Sequence, residues 1–261
     1  MAILLLTSTA GSPGVTTLAV GLALTWPRPI LLVDCDPGAH HAILAGYLGG
    51  RSALGKGLLR VAEAHRDRRP LREVVLDQTL PLSAEEESRR LFLPGFTKPA
   101  SALHFGGVWQ ELAEAFDRLG EVDVDVIIDC GRIGVSGPPA ALVERSAMTA
   151  IVVGSTLRSI MSARVHLPTL RDHPRLNSSD RGHLGLIIVG EGKPYQRGEI
   201  ARTLEVPVIA SIAYDRQSAV HLSDGRPRHR RFDTSPLIRS IRDASSRLSS
   251  TLQRSAELVA G

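Results

Sequence analysis

The sequence has few aromatic residues and no long apolar segment. Only 4% of its 261 residues are Phe, Trp or Tyr, so a hydrophobic core has to be built mainly from Leu, Val, Ile and Ala. No apolar run reaches the roughly 18 residues that a membrane-spanning helix needs, so no such helix is predicted. The apolar N-terminal run is short and lacks a basic region and a cleavage site, which argues against a signal peptide.

Cysteine and histidine are too sparse or too scattered for a disulfide framework or a metal cluster. The two cysteines, Cys35 and Cys130, each lie beside an aspartate just after an apolar segment, where packing roles are expected. So few cysteines fit a reducing cytoplasm, which is the predicted location. His40 and His41 are adjacent, and neighbouring residues of a helix point in different directions, so both are expected at the surface rather than on a metal.

The formal charge of +4 permits contact with nucleic acid or an anionic membrane surface without requiring it. The densest basic stretch, residues 226–231, is suited to DNA phosphates, acidic lipid or an acidic partner, and equally to a solvated loop. The closing helix predicted over 235–258 carries apolar residues and arginines. That pattern is typical of a helix packed on a sheet and also of one lying peripherally on a membrane, for example at a cell pole.

Short apolar runs alternate with helical stretches along the whole chain. This pattern predicts an α/β fold with a doubly wound, mostly parallel central sheet flanked by helices. With no internal repeat and no composition break, residues 1–261 are expected to form a single domain. The predicted strands are 3–8, 29–33, 91–93, 125–128, 150–153, 185–189 and 206–212.

The first strand runs into a glycine-containing turn and a helix. The turn is Gly11-Ser12-Pro13-Gly14-Val15-Thr16-Thr17, and the helix follows from Leu18. A strand, a glycine turn, a Thr pair and a helix form a nucleotide-phosphate cradle, in which backbone N–H groups and the helix N-terminus hold phosphate. The position before the Thr pair requires a lysine that reaches the β- and γ-phosphates, and here it is Val15.

Two further segments end apolar strands with aspartate. Asp34-Cys35-Asp36-Pro37-Gly38 follows the second strand, and Val126-Ile127-Ile128-Asp129 closes a later one. Asp34 lies about 20 residues beyond the glycine turn, as the ribose-binding acid of a dinucleotide fold does. That alternative is weak because the turn lacks the Gly-x-Gly-x-x-Gly pattern and Asp129 is then unexplained.

Taken in order, these segments resemble the ParA/MinD family of deviant-Walker ATPases over almost the whole chain. The family's loop is Lys-Gly-Gly-x-Gly-Lys-Thr-Thr, its second strand ends Asp-x-Asp-Pro, and its Walker B strand ends in Asp. Within the family the chain looks most like the CpaE/TadZ-like branch that accompanies pilus and secretion systems in actinobacteria. The residues that suggest this branch are Leu91–Gly95, the helix at Trp109, Asp129–Arg132 and Val189–Gly192.

The resemblance implies a site for ATP or ADP with Mg²⁺. It assigns Thr16 and Asp34 to the metal and Asp36 to orienting the attacking water. It also implies a homodimer and protein partners in an assembly or secretion system. The nucleotide contacts that it implies are Gly11, Ser12, Pro13, Gly14, Val15, Thr16, Thr17, Asp129, Ala213, Tyr214 and Asp215.

The departures from the family pattern decide the functional prediction. Val15 replaces the loop lysine, Ala10 replaces the lysine that crosses the dimer interface, and Gly190 stands where members often carry an adenine-reading Asn. A charge-assisted hydrogen bond to phosphate contributes about 1.5–3 kcal/mol, so the loss of one weakens binding roughly 10- to 100-fold. Retention of Thr16 and the glycines is explained either by weak nucleotide contact or by helix capping and a tight turn.

Three functions remain open from the sequence. The preferred one is a scaffold or regulator with a degenerate nucleotide site, in which Ala10 and Val15 make part of the dimer face apolar. The second is a slow Mg-ATP-dependent ATPase switch that uses Asp36, Thr16 and a cation borrowed from Arg132, Arg158 or a partner. The third is a DNA-partitioning factor that uses Arg228, Arg230 and Arg231.

Overall fold

The computed structural model describes residues 2–9, 14–53, 55–83, 89–134, 137–177 and 184–260, with side chains through Arg254. Its centre is an eight-stranded sheet in the order β3-β4-β2-β5-β1-β6-β7-β8. Neighbouring strands are parallel except for the short antiparallel β3–β4 pair. The strands are β1 (Ile3–Ser8), β2 (Ile30–Asp34), β3 (Leu80–Pro81), β4 (Arg90–Leu93), β5 (Asp125–Arg132), β6 (Met148–Gly154), β7 (Leu184–Val189) and β8 (Val208–Ile212).

Helices connect the strands and cover both faces of the sheet, as the alternation of apolar runs predicts. A π-helix lies at Ala42–Tyr47, and short 3-10 turns lie at Leu76–Gln78, Leu119–Val122 and Phe232–Thr234. The helices are α1 (Val15–Thr25), α2 (Leu58–Arg66), α3 (Leu71–Val74), α4 (Pro99–Leu103), α5 (Trp109–Arg118), α6 (Ala140–Arg145), α7 (Leu157–Arg171), α8 (Pro174–Asn177), α9 (Arg197–Leu204), α10 (Arg216–Asp224) and α11 (Pro236–Ala260).

The core is divided by the sheet into two apolar layers. Side chains alternate along each strand, so Ile3 and Leu5 of β1 face one layer while Leu4 and Leu6 face the other. The first layer packs under α2, α3, α5, α6, α7 and α9, and the second packs under α1, α10 and α11. The doubly wound, mostly parallel fold predicted from the sequence is therefore confirmed.

The closing helix α11 covers α1. Gly21 of α1 allows this close approach, since a Cβ at that position would lie 2.7 Å from Ile241 Cδ1. Across the same contact the Thr25 and Ser245 hydroxyls are 2.7 Å apart. The apolar face of α11 is buried in this layer, so over these residues it is not free to lie on a membrane. Among the described residues no helix is both long and apolar enough to cross a bilayer.

The basic segment 226–231 precedes α11 and is mostly exposed. Arg228 is engaged within the fold, because its guanidinium lies 5.1 Å from the Phe232 ring centroid and its Nε donates to His221 Nε2 at 3.2 Å. Arg226, Arg230 and Arg231 are exposed. The charge that this segment presents to a partner is therefore carried by these three arginines more than by Arg228.

Candidate functional site

The predicted site lies at the sheet edge where β1, β2 and β5 end. Helix α1 begins there, directly after Gly14, whose φ of 86° and ψ of 38° lie in the left-handed region that favours glycine. The Leu18 N–H donates to the Gly14 carbonyl at 2.8 Å, so the first helical turn closes on the loop. Ala10, Gly11, Ser12 and Pro13 lie outside the described residues.

Val15 occupies the position at which the resemblance requires a lysine. Its side chain is only 7% exposed and belongs to the apolar layer beneath α1. The side chain at this position therefore carries no charge toward the sheet edge. The expectation that Val15 forms part of an apolar dimer face is wrong, because a buried side chain offers almost no surface to a second copy.

Three aspartates lie together at the ends of β2 and β5. Asp34 and Asp129 are paired across the two strands, and Asp36 follows two residues after Asp34. Each carboxylate accepts a hydrogen bond from the backbone N–H two residues later, at 3.1 Å for Asp34, 2.8 Å for Asp36 and 2.9 Å for Asp129. These local turns fix the direction of all three carboxylates.

Burial and mutual repulsion disfavour the charged forms of two of these groups. Burial first, then the charge of Asp129, raises the pKa of Asp34 from 3.8 to about 8. Burial raises the pKa of Asp129 to about 6, although the facing Thr16 hydroxyl and the Gly131 N–H lower it. Oδ2 of Asp129 is buried and has no hydrogen-bond partner of ordinary geometry among the described residues. The cluster therefore has a deficit of positive charge.

Two glycines hold the aspartates in place by leaving room for them. A Cβ on Gly131, whose φ is 59°, would overlap the Asp36 carboxylate. A Cβ on Gly95 would lie 2.8 Å from Asp34 Oδ2. Both positions therefore need a residue without a side chain.

A cavity of about 320 Å³ opens between the start of α1 and Asp36. We call it the carboxylate cavity. The cavity brings together Thr16, Thr17, Asp36 and the end of β5. Asp34 does not line this cavity. Its described lining residues are Ser8, Gly14, Val15, Thr16, Thr17, Asp36, Pro37, Gly38, His40, Gly131 and Arg132.

A second cavity, of about 340 Å³, lies on the other side of the α1 N-terminus. We call it the apolar cavity. It shares Gly14 and Thr17 with the carboxylate cavity, so the two meet at the first turn of α1. It is lined by Gly14, Thr17, Leu18, Val189, Ile212, Ala213, Tyr214, Asp215, Arg216, Ala219, Val220, Ser223, Asp224, Leu237 and Ile241.

The residues predicted after β8 line this second cavity in different ways. The Ala213 N–H donates to Ser240 Oγ at 3.0 Å, and Tyr214 is 61% exposed with the Lys193 ammonium 5.7 Å from its ring centroid. Asp215 caps α10, accepting from the Ser218 N–H and hydroxyl. Partial burial works to raise the pKa of Asp215, but these hydrogen bonds outweigh it and lower the pKa. The Asp215 carboxylate is thus already committed to the helix.

Of the two arginines proposed as a replacement for the loop lysine, one lies at the site and the other does not. Arg132 is exposed and lines the carboxylate cavity, whereas Arg158, on α7, lines neither cavity. His40 also lines the carboxylate cavity, with Nε2 4.0 Å from Asp36 Oδ2. His40 is exposed, as expected, but its place on the same cavity as Thr16 was not predicted from the sequence.

The donor set suits a hard divalent cation. Thr16 offers a hydroxyl, Asp36 a carboxylate at the cavity, and Asp129 a buried oxygen that lacks a partner. Hydroxyl and carboxylate oxygens are the ligands that Mg²⁺ prefers, often through water. Among the described residues no cluster of three or more His, Cys, Asp and Glu side chains has the arrangement of a protein-only metal site, so phosphate oxygens or water would have to complete the shell.

The walls of the apolar cavity that α10 and α11 supply are the part of the site that the sequence did not predict. These walls include Ala219 of α10 and Leu237 and Ile241 of α11, which are far apart in the chain from the glycine turn. Only the apolar spacing of those two helices signals that they face inward. Nothing in that spacing indicates which loop they face.

No protein-family model and no curated protein sequence matches the chain. Solved structures do match its fold. The crystal structure of a ParA family ATPase from Chlorobium tepidum TLS is 14% identical with a TM-score of 0.71, covering 94% of this chain and 98% of that chain.

Two MinD structures are similar to it as well. The MinC:MinD cell division protein complex of Aquifex aeolicus is 17% identical with a TM-score of 0.69, covering 96% of each chain. The septum site-determining protein MinD complexed with Mg-ADP from Pyrococcus horikoshii OT3 is 16% identical with a TM-score of 0.64, covering 95% of each chain. The fold is therefore that of the ParA/MinD P-loop NTPases.

Proposed function

We propose that this chain is a ParA/MinD-like positioning or assembly protein with a degenerate nucleotide site. It binds ATP or ADP with Mg²⁺ weakly, hydrolyses ATP slowly or not at all, and acts through protein partners. A pilus or secretion machine of the kind that accompanies the CpaE/TadZ-like branch is the proposed setting. We further propose that residues 1–261 form one domain, located in the cytoplasm or peripherally at the membrane or cell pole.

One observation carries this proposal: two cavities meet at the N-terminus of α1, and the side chain at the lysine position is buried. The carboxylate cavity has the helix terminus and hydroxyls suited to phosphates, and the apolar cavity has a size and lining suited to a nucleoside. Val15 takes away the charge that an active relative brings to the phosphates. In this proposal the two cavities keep the shape of a nucleotide site, while the affinity for ATP and the rate of phosphoryl transfer are reduced.

The similar structures support the ligand and the mode of action. One similar structure is named as complexed with Mg-ADP, one as a MinC:MinD complex and one as a ParA family ATPase. Mg²⁺, when bound, neutralises charge on phosphate oxygens. In this chain Thr16 and Asp36 would hold the metal side of the ligand, and Asp129 would orient Thr16 and bound water from behind.

Isothermal titration calorimetry of ATP and ADP in Mg²⁺ tests the proposal on the native chain and on Val15→Lys. Val15 also lines the carboxylate cavity, so the longer lysine side chain is expected to place its ammonium there and to tighten ATP binding about 10- to 100-fold. Val15→Met is the matched control, since it adds a similar length without charge and should bind as the native chain does.

Two results would overturn the proposal. The first is equal ATP affinity in the lysine and methionine variants, with both folded by circular dichroism. The second is the absence of nucleotide binding in all three proteins.

A slow ATPase is the second candidate, favoured by the placement of Thr16 and Asp36 on one cavity. Asp36 would orient water, and Thr16 would hold the metal side of the phosphates. Phosphate release should then fall at least 10-fold in Asp36→Ala and in Thr16→Ala. A release rate that neither substitution changes would leave the scaffold function alone.

Nucleic acid is the alternative anionic partner. The exposed Arg226, Arg230 and Arg231 support it, whereas the engaged Arg228 does not. Binding to non-specific DNA at about 50 mM salt, lost steeply as salt rises, would favour this partner over a protein surface.

A further inference from the structure

Negative side chains lie in and around the carboxylate cavity, and they would repel the phosphates of a bound nucleotide. Asp36 lines the cavity, Asp129 lies behind Thr16, and the lysine position is filled by the buried Val15. Nucleotide phosphates bring further negative charge into the same space. The partial positive charge at the N-terminus of α1 amounts to about half a unit, which does not balance several negative groups.

Among the described residues lining this cavity, Arg132 and His40 are the basic ones. The His40 side chain is 74% exposed, and its Nε2 lies 4.0 Å from Asp36 Oδ2. An arginine keeps its charge at every physiological pH and matches phosphate oxygens with a planar fork of donors. Arg132 is therefore the better candidate on charge and on geometry.

The backbone around Arg132 is fixed to the strand that precedes the loop. Arg132 ends β5 opposite Ser8 of β1, after a shift in register between Leu6 and Ser8. The Ile133 N–H donates to the Ser8 carbonyl at 2.7 Å, and the Thr7 hydroxyl donates to the Gly131 carbonyl at 3.2 Å. The backbone of Arg132 is thus held beside the point where the chain leaves β1 for the loop.

The end of the cavity on which Arg132 lies indicates which phosphate it would meet. Its neighbour Gly131 packs against the Asp36 carboxylate, so Arg132 stands at the Asp36 end and away from the apolar cavity. A nucleotide with its base in the apolar cavity and its phosphates at the α1 N-terminus would have its last phosphate at this end. Arg158 and Arg28 do not compete: Arg158 lines neither cavity, and Arg28 is paired with Asp123 at 3.0 Å near the opposite end of β5.

We propose that Arg132 supplies, from the end of β5, the cation for the terminal phosphate that the loop lysine supplies elsewhere. This inference rests on the proposed nucleotide binding and adds to it a specificity-determining residue. Because the guanidinium meets the last phosphate, it favours a nucleoside triphosphate over a diphosphate.

Calorimetry of ATP, ADP and AMP on Arg132→Ala, with Mg²⁺ present, tests the inference. We expect ATP binding to weaken at least 10-fold, ADP binding to weaken less, and AMP binding to stay unchanged. Arg132→Lys should retain part of the ATP affinity. The double variant Val15→Lys with Arg132→Ala should regain ATP binding, because a cation is restored from the loop. Arg202→Ala, exposed on α9 and away from both cavities, is the control and should match the native chain.

The outcomes separate the inference from the proposed function. If the native chain binds ATP and Arg132→Ala binds it equally well, the inference is wrong and the proposed function stands. Equal losses for ATP, ADP and AMP would also overturn it, since that pattern indicates a general disturbance of the site. If neither the native chain nor Val15→Lys binds any nucleotide, both fall. Unchanged thermal melting of Arg132→Ala excludes misfolding as the cause of a loss.

Discussion

At the scale of single residues, the main feature of the site is a pair of buried aspartates whose charged forms are disfavoured. Asp34 and Asp129 are paired on neighbouring strands with no basic side chain hydrogen-bonded to either carboxylate among the described residues. Burial raises the pKa of Asp34 to about 8 and that of Asp129 to about 6. Near neutral pH the folded chain therefore keeps a proton that the unfolded chain releases.

This proton uptake predicts how stability depends on pH in the metal-free protein. The unfolded pKa of 3.8 lies below the folded pKa of Asp34 of about 8, so raising the pH between these values favours unfolding. We expect the melting temperature in EDTA to fall as the pH rises from about 5 to about 9. The fall should be smaller in Asp34→Asn, which stays neutral, and Mg²⁺ should reduce it in the native chain.

Thermal melting monitored by circular dichroism measures this effect. The facing groups to consider are Asp36 and Asp129, together with the Thr16 hydroxyl that faces Asp129. Identical pH profiles for the native chain and Asp34→Asn would contradict the expected neutral state of Asp34.

At the scale of elements, the π-helix at Ala42–Tyr47 packs against α10, which lines the apolar cavity. Gly46 makes this contact possible, because a Cβ there would overlap the Ser223 carbonyl oxygen. Gly225, at the end of α10, in turn leaves room for the Gly46 carbonyl. Two glycines thus set the distance between the segment after Asp36 and the wall of the apolar cavity that α10 forms.

Gly46→Ala should therefore destabilise the protein. The added methyl meets backbone, which cannot rotate away as a side chain does, so we expect a loss of about 1–3 kcal/mol in the free energy of unfolding. Gly198→Ala is the control, because that glycine lies in α9 with open space around its Cβ position and alanine favours a helix. Urea denaturation measures both, and equal stabilities of the two variants would disprove the predicted clash.

The sequence predicted the strand ends of the site well and its walls poorly. Asp34, Asp36 and Asp129 were predictable because aspartates that end parallel strands gather at one edge of a sheet. The burial of Val15 was not, since the residue pattern does not say whether a side chain after a glycine turn faces the cavity or the core. The role of Gly131 depends on a φ of 59° and on the Asp36 carboxylate beside it, and both arise only from tertiary structure.

At the scale of the whole molecule, an exposed apolar stripe runs along α7. Leu157, Met161 and Val165 recur every fourth residue and are 57%, 43% and 71% exposed. Helix α7 follows the end of β6, so the stripe starts at the sheet edge that holds the site. Exposed apolar side chains in a row are typical of a protein contact, and in the proposed homodimer this stripe would face the second copy.

Replacing all three stripe residues with glutamine should convert a dimer into a monomer without loss of stability, because these side chains contribute little to the core. Size-exclusion chromatography with light scattering, with and without ATP, measures the mass. Leu59→Gln, on α2 and 48% exposed, is the control and should leave the mass unchanged. A native chain that is monomeric under both conditions, or a triple variant that remains dimeric, would count against this contact.

Because α11 packs on α1, this part of the core forms only when α11 has been synthesised. A ribosome releases α1 well before α11, so the apolar surface around Gly21 and Leu22 stays uncovered until α11 has been made. The apolar cavity, whose wall includes Leu237 and Ile241 of α11, is thus completed later than the first turn of α1. A chain cut before α11 should therefore expose this apolar surface and be bound by chaperones.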